Sequence, residues 1–335
     1  MRKILRLFFV LGLVSLLFNF SSGENKPISK VSLGFSFSPA YAQYLGLDPR
    51  GSFLEILSRF NFESVRIPVY WDRVYRNGSY DFSEVDFLVK EAKKQGLEVV
   101  LSFGYRNFRW PECYAPDEVA EEKSSRFREE LELFNRAVLD HFAPTNWVDA
   151  WQVENEPFLI PNSRCRFLNP LALQETIEQI KYSDNTNRPI LLTFGGAGAA
   201  GLPLIWPAIK DADIIGVSFY PRILDPLFRR YYVETYRLGP VPPRKISRER
   251  RFVEGQGKAF WVVEFQAEPW ADDPRTMSPE ILQSNWELLL SYGGAERVYL
   301  WGVEWWLKEK HEGRPDVFRA AQKLFNLPFP QAGLE

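Results

Sequence analysis

The chain has 335 residues, 45% of them hydrophobic, with 41 Lys and Arg against 43 Asp and Glu for a formal net charge of −2. A balance this even provides no global field to recruit nucleic acid or an anionic membrane, and small neutral partners fit it better. One domain with one large core is expected, because α/β barrels run to this length undivided. Residues 1–23 begin with Arg2, Lys3 and Arg6, continue through fourteen largely apolar residues from Leu7 to Phe20, and end on Ser21, Ser22 and Gly23. That layout predicts a signal peptide and export to a secreted or periplasmic location. An uncleaved membrane anchor is the alternative, since no clear Ala-x-Ala site follows. The fold is then expected in 24–335.

From Lys30 onward, short apolar runs alternate with amphipathic helical stretches, the pattern of repeated βα units on a parallel sheet. The runs are VSLGFS (31–36), SVRIPV (64–69), EVVLSF (98–103), VDAWQVE (148–154), PILLTF (189–194), DIIGVSF (213–219), AFWVVEF (259–265) and RVYLWGV (297–303). Eight such strands predict an α/β fold of one class, a single (β/α)8 TIM barrel with its chemistry at the C-terminal strand ends.

The intervening segments carry helix signals. Asp81 with Glu84 reads as a capping-box start, and Phe82, Val85, Leu88, Val89 and Ala92 form one apolar face ahead of Gly96. Phe127, Leu131, Phe134, Val138 and Phe142 recur at helical spacing, and Ser278-Pro279-Glu280 opens the seventh helix. The fifth crossover, around Leu202 to Lys210, is weakly periodic. Two connections are too long for turns, Gly104 to Lys123 and Pro221 to Lys245, and long loops in a compact domain are usually functional or disordered. The first offers Tyr105, Arg106, Phe108, Arg109, Trp110 and Glu112, flat faces and fork donors suited to sugar rings. The second leads into Arg229, Arg230, Arg237, Arg244, Lys245, Arg248, Arg250 and Arg251, either a solvated surface or a site for an acidic polysaccharide. The chain's two cysteines, Cys113 and Cys165, have 51 residues between them and are expected to close a disulfide in an oxidising compartment; two unpaired buried thiols are the alternative. His141 and His311 are the chain's two histidines and lie far apart, so neither a metal site nor any cofactor is expected, and a monomer is.

The chemistry concentrates at two strand ends. WQVENEPF (151–158) stops abruptly on Asn155, Glu156 and Pro157, and AFWVVEFQAEPW (259–270) delivers Glu264. Two facing carboxyl groups are the minimum equipment for cleaving a glycosidic bond. An Asn-Glu ending a fourth strand and a Glu ending a seventh resemble the clan A retaining glycoside hydrolases, the (β/α)8 barrels that include the cellulase-like family 5 enzymes. The resemblance covers Val31 to Trp306. It implies Glu156 as acid/base, Glu264 as nucleophile and Asn155 on the sugar 2-hydroxyl. It also implies that Arg66 supports the nucleophile, that Tyr220 in SFYP hydrogen-bonds it, and that Trp301 lies beneath the sugar. Trp71, Arg109, Trp110 and Trp305 are further candidates for substrate contacts. The histidines that many family 5 members carry after the third strand and before the sixth-strand Tyr are missing from SFGYRNFRWPEC and SFYP.

The resemblance therefore implies an exported hydrolase acting on a β-linked oligo- or polysaccharide by double displacement. Glu156 is expected to be held protonated by a less polar setting and by the charge of Glu264, which Arg66 and Tyr220 keep ionised. Glu154 and Glu268 are the competing carboxylates. Two other readings stand beside this one: a carbohydrate-binding barrel without activity, and a metal-dependent barrel hydrolase using Glu154, Glu156, Glu264 and Glu268 as oxygen ligands.

Overall fold

Eight short strands, nearly all of their residues buried, pair in parallel and close on themselves: β1 (Ser32–Ser36), β2 (Ser64–Pro68), β3 (Glu98–Phe103), β4 (Ala150–Val153), β5 (Ile190–Phe194), β6 (Ile214–Phe219), β7 (Ala259–Gln266) and β8 (Arg297–Trp301). β8 closes the barrel on β1 with Gly34 opposite Tyr299. The computed structural model describes residues 31–120, 124–158, 165, 170–195, 210–224, 232–234 and 245–326. Helices α1 (Pro49–Arg59), α2 (Ser83–Lys94), α3 (Ser124–Phe142), α4 (Pro170–Ser183), α5 (Lys245–Gly255), α6 (Pro279–Ser291), α7 (Val303–His311) and α8 (Asp316–Phe325) belong to the crossovers and to the end of the chain. The strand count and parallel order are those expected of a (β/α)8 barrel.

Helix boundaries follow local chemistry. Ser278 accepts from the amide of Ile281 and Pro279 takes the first turn of α6, where a missing N–H costs nothing. In α2 the start differs from expectation: Asp81 accepts from the amide of Ser83 at 2.9 Å, so the helix begins at Ser83 and not at Asp81. The apolar face is as expected, with Phe82, Val85, Leu88, Val89 and Ala92 all buried against the barrel. β8 ends at Trp301, two residues early, because Gly302 takes φ 116° and turns the chain directly into α7. The signal-like segment, most of the fifth crossover and Arg229, Arg230, Arg237 and Arg244 lie outside the described residues.

Side chains alternate along each strand, so residues two apart share a face. One face packs on the helices. The other forms a separate apolar cluster of Val100, Ala150, Leu191, Ile214, Trp261, Val263 and Tyr299, which fills the barrel interior. Gly34 is required there, since a Cβ would lie 2.8 Å from the Tyr299 ring and 2.3 Å from Ser64 Oγ. Two residues further along the same parity, the interior turns polar: Ser36, Arg66, Ser102, Gln152, Thr193 and Ser218 are all buried. This polar layer is the floor of the bowl at the C-terminal strand ends. In β7 the register slips after Val262 against both neighbours, a β-bulge that inserts one residue before Glu264.

Candidate active site

Of the three residues that leave β4, the first and third take a backbone that L-residues rarely adopt. Glu154 has φ 56° and Glu156 φ 47°, conformations that cost about 1 kcal/mol or more each unless the surroundings impose them. Here they do. The amides of Glu154, Asn155 and Glu156 donate to Phe103 O, Arg106 O and Thr193 Oγ1, each at 2.9 Å. The Glu154 carboxylate accepts the amides of Tyr105 at 2.9 Å and Arg106 at 2.5 Å, fastening the loop after β3 to the end of β4. Glu156 is thereby turned over the bowl, where its Oε1 accepts from Ser218 Oγ at 2.6 Å.

Glu264 is aimed by the bulge. The irregularity leaves Val263 O to accept from Arg66 Nη1 at 2.5 Å, and Arg66 Nη2 then reaches Asn155 Oδ1 at 3.1 Å and lies 3.9 Å from Glu264 Oε1. Tyr220 donates to Glu264 Oε2 at 2.8 Å. Asn155 Oδ1 also receives Gln152 Nε2 at 3.2 Å and Thr193 Oγ1 at 3.3 Å, so its acceptor is consumed and its Nδ2 is the group left to donate. Arg66 is fully buried, its guanidinium 4.4 Å from the centre of the Phe108 ring. A lysine has neither the reach nor the fork to serve all of these partners. Arg66→Lys is expected to destabilise the fold by about 3 kcal/mol, read as a lower denaturant midpoint; an unchanged midpoint would contradict this account of the floor.

The electrostatics separate the two carboxyls. Burial pushes the Glu156 carboxyl well above the usual range, and the charge of Glu264 pushes it further; the Ser218 hydrogen bond only partly opposes this. Tyr220 is raised well above the ordinary phenol by burial and by Glu264, which keeps its proton on the hydrogen bond. Glu154 is pushed up by burial to about 7, against the pull of its two amide donors. Burial also raises Glu112, Glu304 and, to about 6, Asp72. A carboxyl raised on folding binds its proton more tightly in the native state, so its stabilisation is full below the unfolded value and is lost as pH rises through the folded one. Thermal stability is therefore expected to fall between about pH 5 and 8. Melts across that range test this, and a Tm rising with pH would contradict it.

The remaining candidates separate clearly. Trp301 is buried at the bowl's edge, with the Arg109 guanidinium 4.1 Å above one face of its ring. Arg109 itself is corrected from a substrate donor to an internal tie. Its two terminal nitrogens are ion-paired with Glu268 and, at 3.0 Å, with Glu304, and it also stacks 3.8 Å from the Tyr41 ring. Trp71 is likewise corrected: it has no exposed surface and stacks on Phe134 at 5.4 Å, because the turn after β2 carries it into the core. Trp305 is half-buried against the core, whereas Trp110 stands 68% exposed on the loop after β3. Cys113 and Cys165 are joined as a disulfide with Cα atoms 5.6 Å apart, tying that loop to the segment after β4. Arg250, one of the basic run, is engaged away from the bowl with Glu254 and Gly293 O.

Ser218, Thr193 and Gln152 belong to the site and were missed, whereas Arg106 and Glu112, offered by the loop after β3, enter it as an ion pair. The first three had a signal: each is a single polar residue within a buried apolar strand, on the interior-facing parity. The four carboxylates of the metal reading do not converge. Glu154 is bound to two backbone amides and Glu268 to Arg109, and among the described residues no three His, Cys, Asp or Glu side chains are placed to hold an ion.

No family model and no curated protein matches the sequence. Solved structures do match the fold. An exo-β-1,4-mannosidase, Op5Man5 from Opitutaceae bacterium strain TAV5, superposes with TM-score 0.58 at 16% identity over 92% of this chain, which spans 64% of the mannosidase. The GH53 catalytic domain of Ignisphaera aggregans gives 0.52 at 19% identity, covering 83% of this chain and 88% of that one. A structure of fungal β-1,4-galactanases gives 0.53 at 16% identity, covering 90% and 95%. The chain thus has the (β/α)8 barrel fold of the clan A glycoside hydrolases.

Proposed function

We propose that the protein is a retaining glycoside hydrolase acting on a β-linked glycan. The observation that carries this reading is the electrostatic division of labour at the ends of β4 and β7: a buried Glu156 that holds its proton beside a Glu264 braced by Arg66 and Tyr220. Retention calls for the two carboxyls to stand about 5 to 5.5 Å apart across the scissile bond, closer than inversion does. The solved barrels that share the fold include enzymes titled as a mannosidase and galactanases, which is consistent with this chemistry.

In the first step the Glu264 carboxylate attacks the anomeric carbon as the glycosidic C–O bond breaks, and Glu156 gives its proton to the departing oxygen. The glycosyl ester carries no charge, so the repulsion that held the proton on Glu156 is gone. Glu156, now a carboxylate, takes a proton from water as its oxygen attacks the anomeric carbon and releases Glu264. In this reading Asn155 Nδ2 donates to the sugar 2-hydroxyl, and Trp301 borders the sugar from the edge of the bowl. Tyr220 and Arg66 stabilise Glu264 as it departs. Export rests on the N-terminal pattern of residues 1–23 and is part of the same proposal.

The test screens the chain lacking residues 1–23 against aryl β-glycosides and against β-glucan, mannan, xylan and galactan. Turnover of one class is the expected result. Binding of a polymer without turnover would favour a carbohydrate-binding barrel, and loss of turnover in a chelator would favour metal chemistry.

A further inference from the structure

Four carboxyl groups other than the catalytic pair border or underlie the bowl, and three of them are already committed. Glu154 holds two backbone amides, and Glu268 and Glu304 hold Arg109. Glu112 is different. Its side chain keeps 32% of its surface open, and only one of its oxygens is engaged, Oε2 receiving Arg106 Nη2 at 3.2 Å. Oε1 accepts nothing from the described residues.

Glu112 is also held firmly toward the catalytic pair. Its backbone is in the left-handed region at φ 71°, its carbonyl accepts the amide of Asn107 at 3.0 Å and its amide donates to Arg109 O at 2.8 Å. The neighbouring Cys113 forms a bridge with Arg106 and the disulfide to Cys165. Arg106 O in turn accepts the amide of Asn155, so the ion pair is anchored directly on the strand end that presents Glu156. Through Arg106 the Glu112 carboxylate is joined to the end of β4 that presents Glu156, and the charge of Glu112 reaches Glu156. A rigid, partly open acceptor in a bowl whose arginines are already paired suits a hydroxyl donor and repels an anion.

Given the hydrolase reading above, we propose that Glu112 selects the substrate: its Oε1 accepts a hydrogen bond from a ring hydroxyl of a neutral sugar held against Glu156 and Glu264, and sugars bearing a carboxylate are excluded. The basic run after β6 is then not the mark of an acidic-polysaccharide enzyme.

The experiment measures kcat/KM for the wild type, Glu112→Gln and Glu112→Ala on the best neutral aryl glycoside from the screen, on its monodeoxy analogues and on the matching uronide. One deoxy analogue should lose roughly 10- to 100-fold with the wild type, the range for a hydrogen bond to a charged group. Glu112→Ala should lose as much on the parent sugar and nothing further on that analogue, with Glu112→Gln between. The uronide should not react with the wild type. Equal losses in Glu112→Ala on every analogue, or wild-type turnover of the uronide, would overturn the proposal. The deoxy series on the wild type stands even where a variant fails to fold; no selective loss in that series also overturns it. Should the protein bind a glycan without cleaving it, the hydrolase reading fails and the same comparison is read from Kd. Binding of none of the sugars would overturn both.

Discussion

Replacing Glu264 by Ala is expected to lower kcat by at least about 10³-fold, corresponding to about 4 kcal/mol of transition-state stabilisation, while the fold survives. Glu264 is aimed by a bulge in β7, and its oxygens meet Tyr220 and Arg66, neither of which needs the carboxylate to stay in place: Arg66 keeps Val263 O and Asn155. The barrel therefore loses the proposed nucleophile without losing its floor. Azide fills the vacated volume and attacks the same face of the anomeric carbon once, giving a glycosyl azide of inverted configuration. Partial rescue by azide with that product is the outcome to look for. No rescue, or activity close to the wild type, would remove Glu264 from the chemistry.

Replacing Glu156 by Gln or Ala should act through the leaving group. General acid catalysis contributes about 10² to 10⁴-fold, and the aid is needed most where the departing oxygen is basic. Alkyl or disaccharide substrates should lose close to the full amount in kcat/KM, and dinitrophenyl glycosides little, because dinitrophenolate leaves without a proton. The second step also lacks its base, so azide should speed turnover and give a product of retained configuration, opposite to that from Glu264→Ala. The pH dependence follows with a definite sign. In the proposed mechanism Glu156 acts in its protonated form, and burial together with Glu264 raises its pKa. Wild-type kcat/KM should have an alkaline limb that falls as pH rises through that raised value, above the ordinary carboxylate range near 4.3. Glu156→Gln should lose this alkaline limb. A limb unchanged in the variant would assign the acid to another residue.

How far the sequence reaches depends on which physical effect it encodes locally. The eight strands were readable because a strand buried on both faces appears as a short apolar run, and PILLTF or EVVLSF has few other readings. The positions of Glu156 and Glu264 at the strand ends were readable because a carboxylate ending such a run breaks the apolar pattern. Trp71 and Arg109 were misread for the opposite reason. An aromatic or a fork donor near a strand end looks the same whether it faces substrate or core, and only the packing on Phe134 or the ion pairs with Glu268 and Glu304 decide. The bulge after Val262 left no local signal, since it is a mismatch between β7 and its neighbours and not a property of FWVVEF alone. Glu112 was seen as part of a loop but not as a partner of Arg106, because the hairpin that joins them closes through backbone bonds and a disulfide to a distant residue.

The claim of a double displacement is tested most directly by the configuration of the sugar at the moment of release. Proton NMR of the first minutes of hydrolysis of the best β-glycoside follows the anomeric signal before mutarotation mixes it. The β-anomer appearing first is the predicted result, since two inversions at one carbon restore the starting configuration. The α-anomer appearing first would mean a single displacement by water, and Glu264 would then be a base and not a nucleophile.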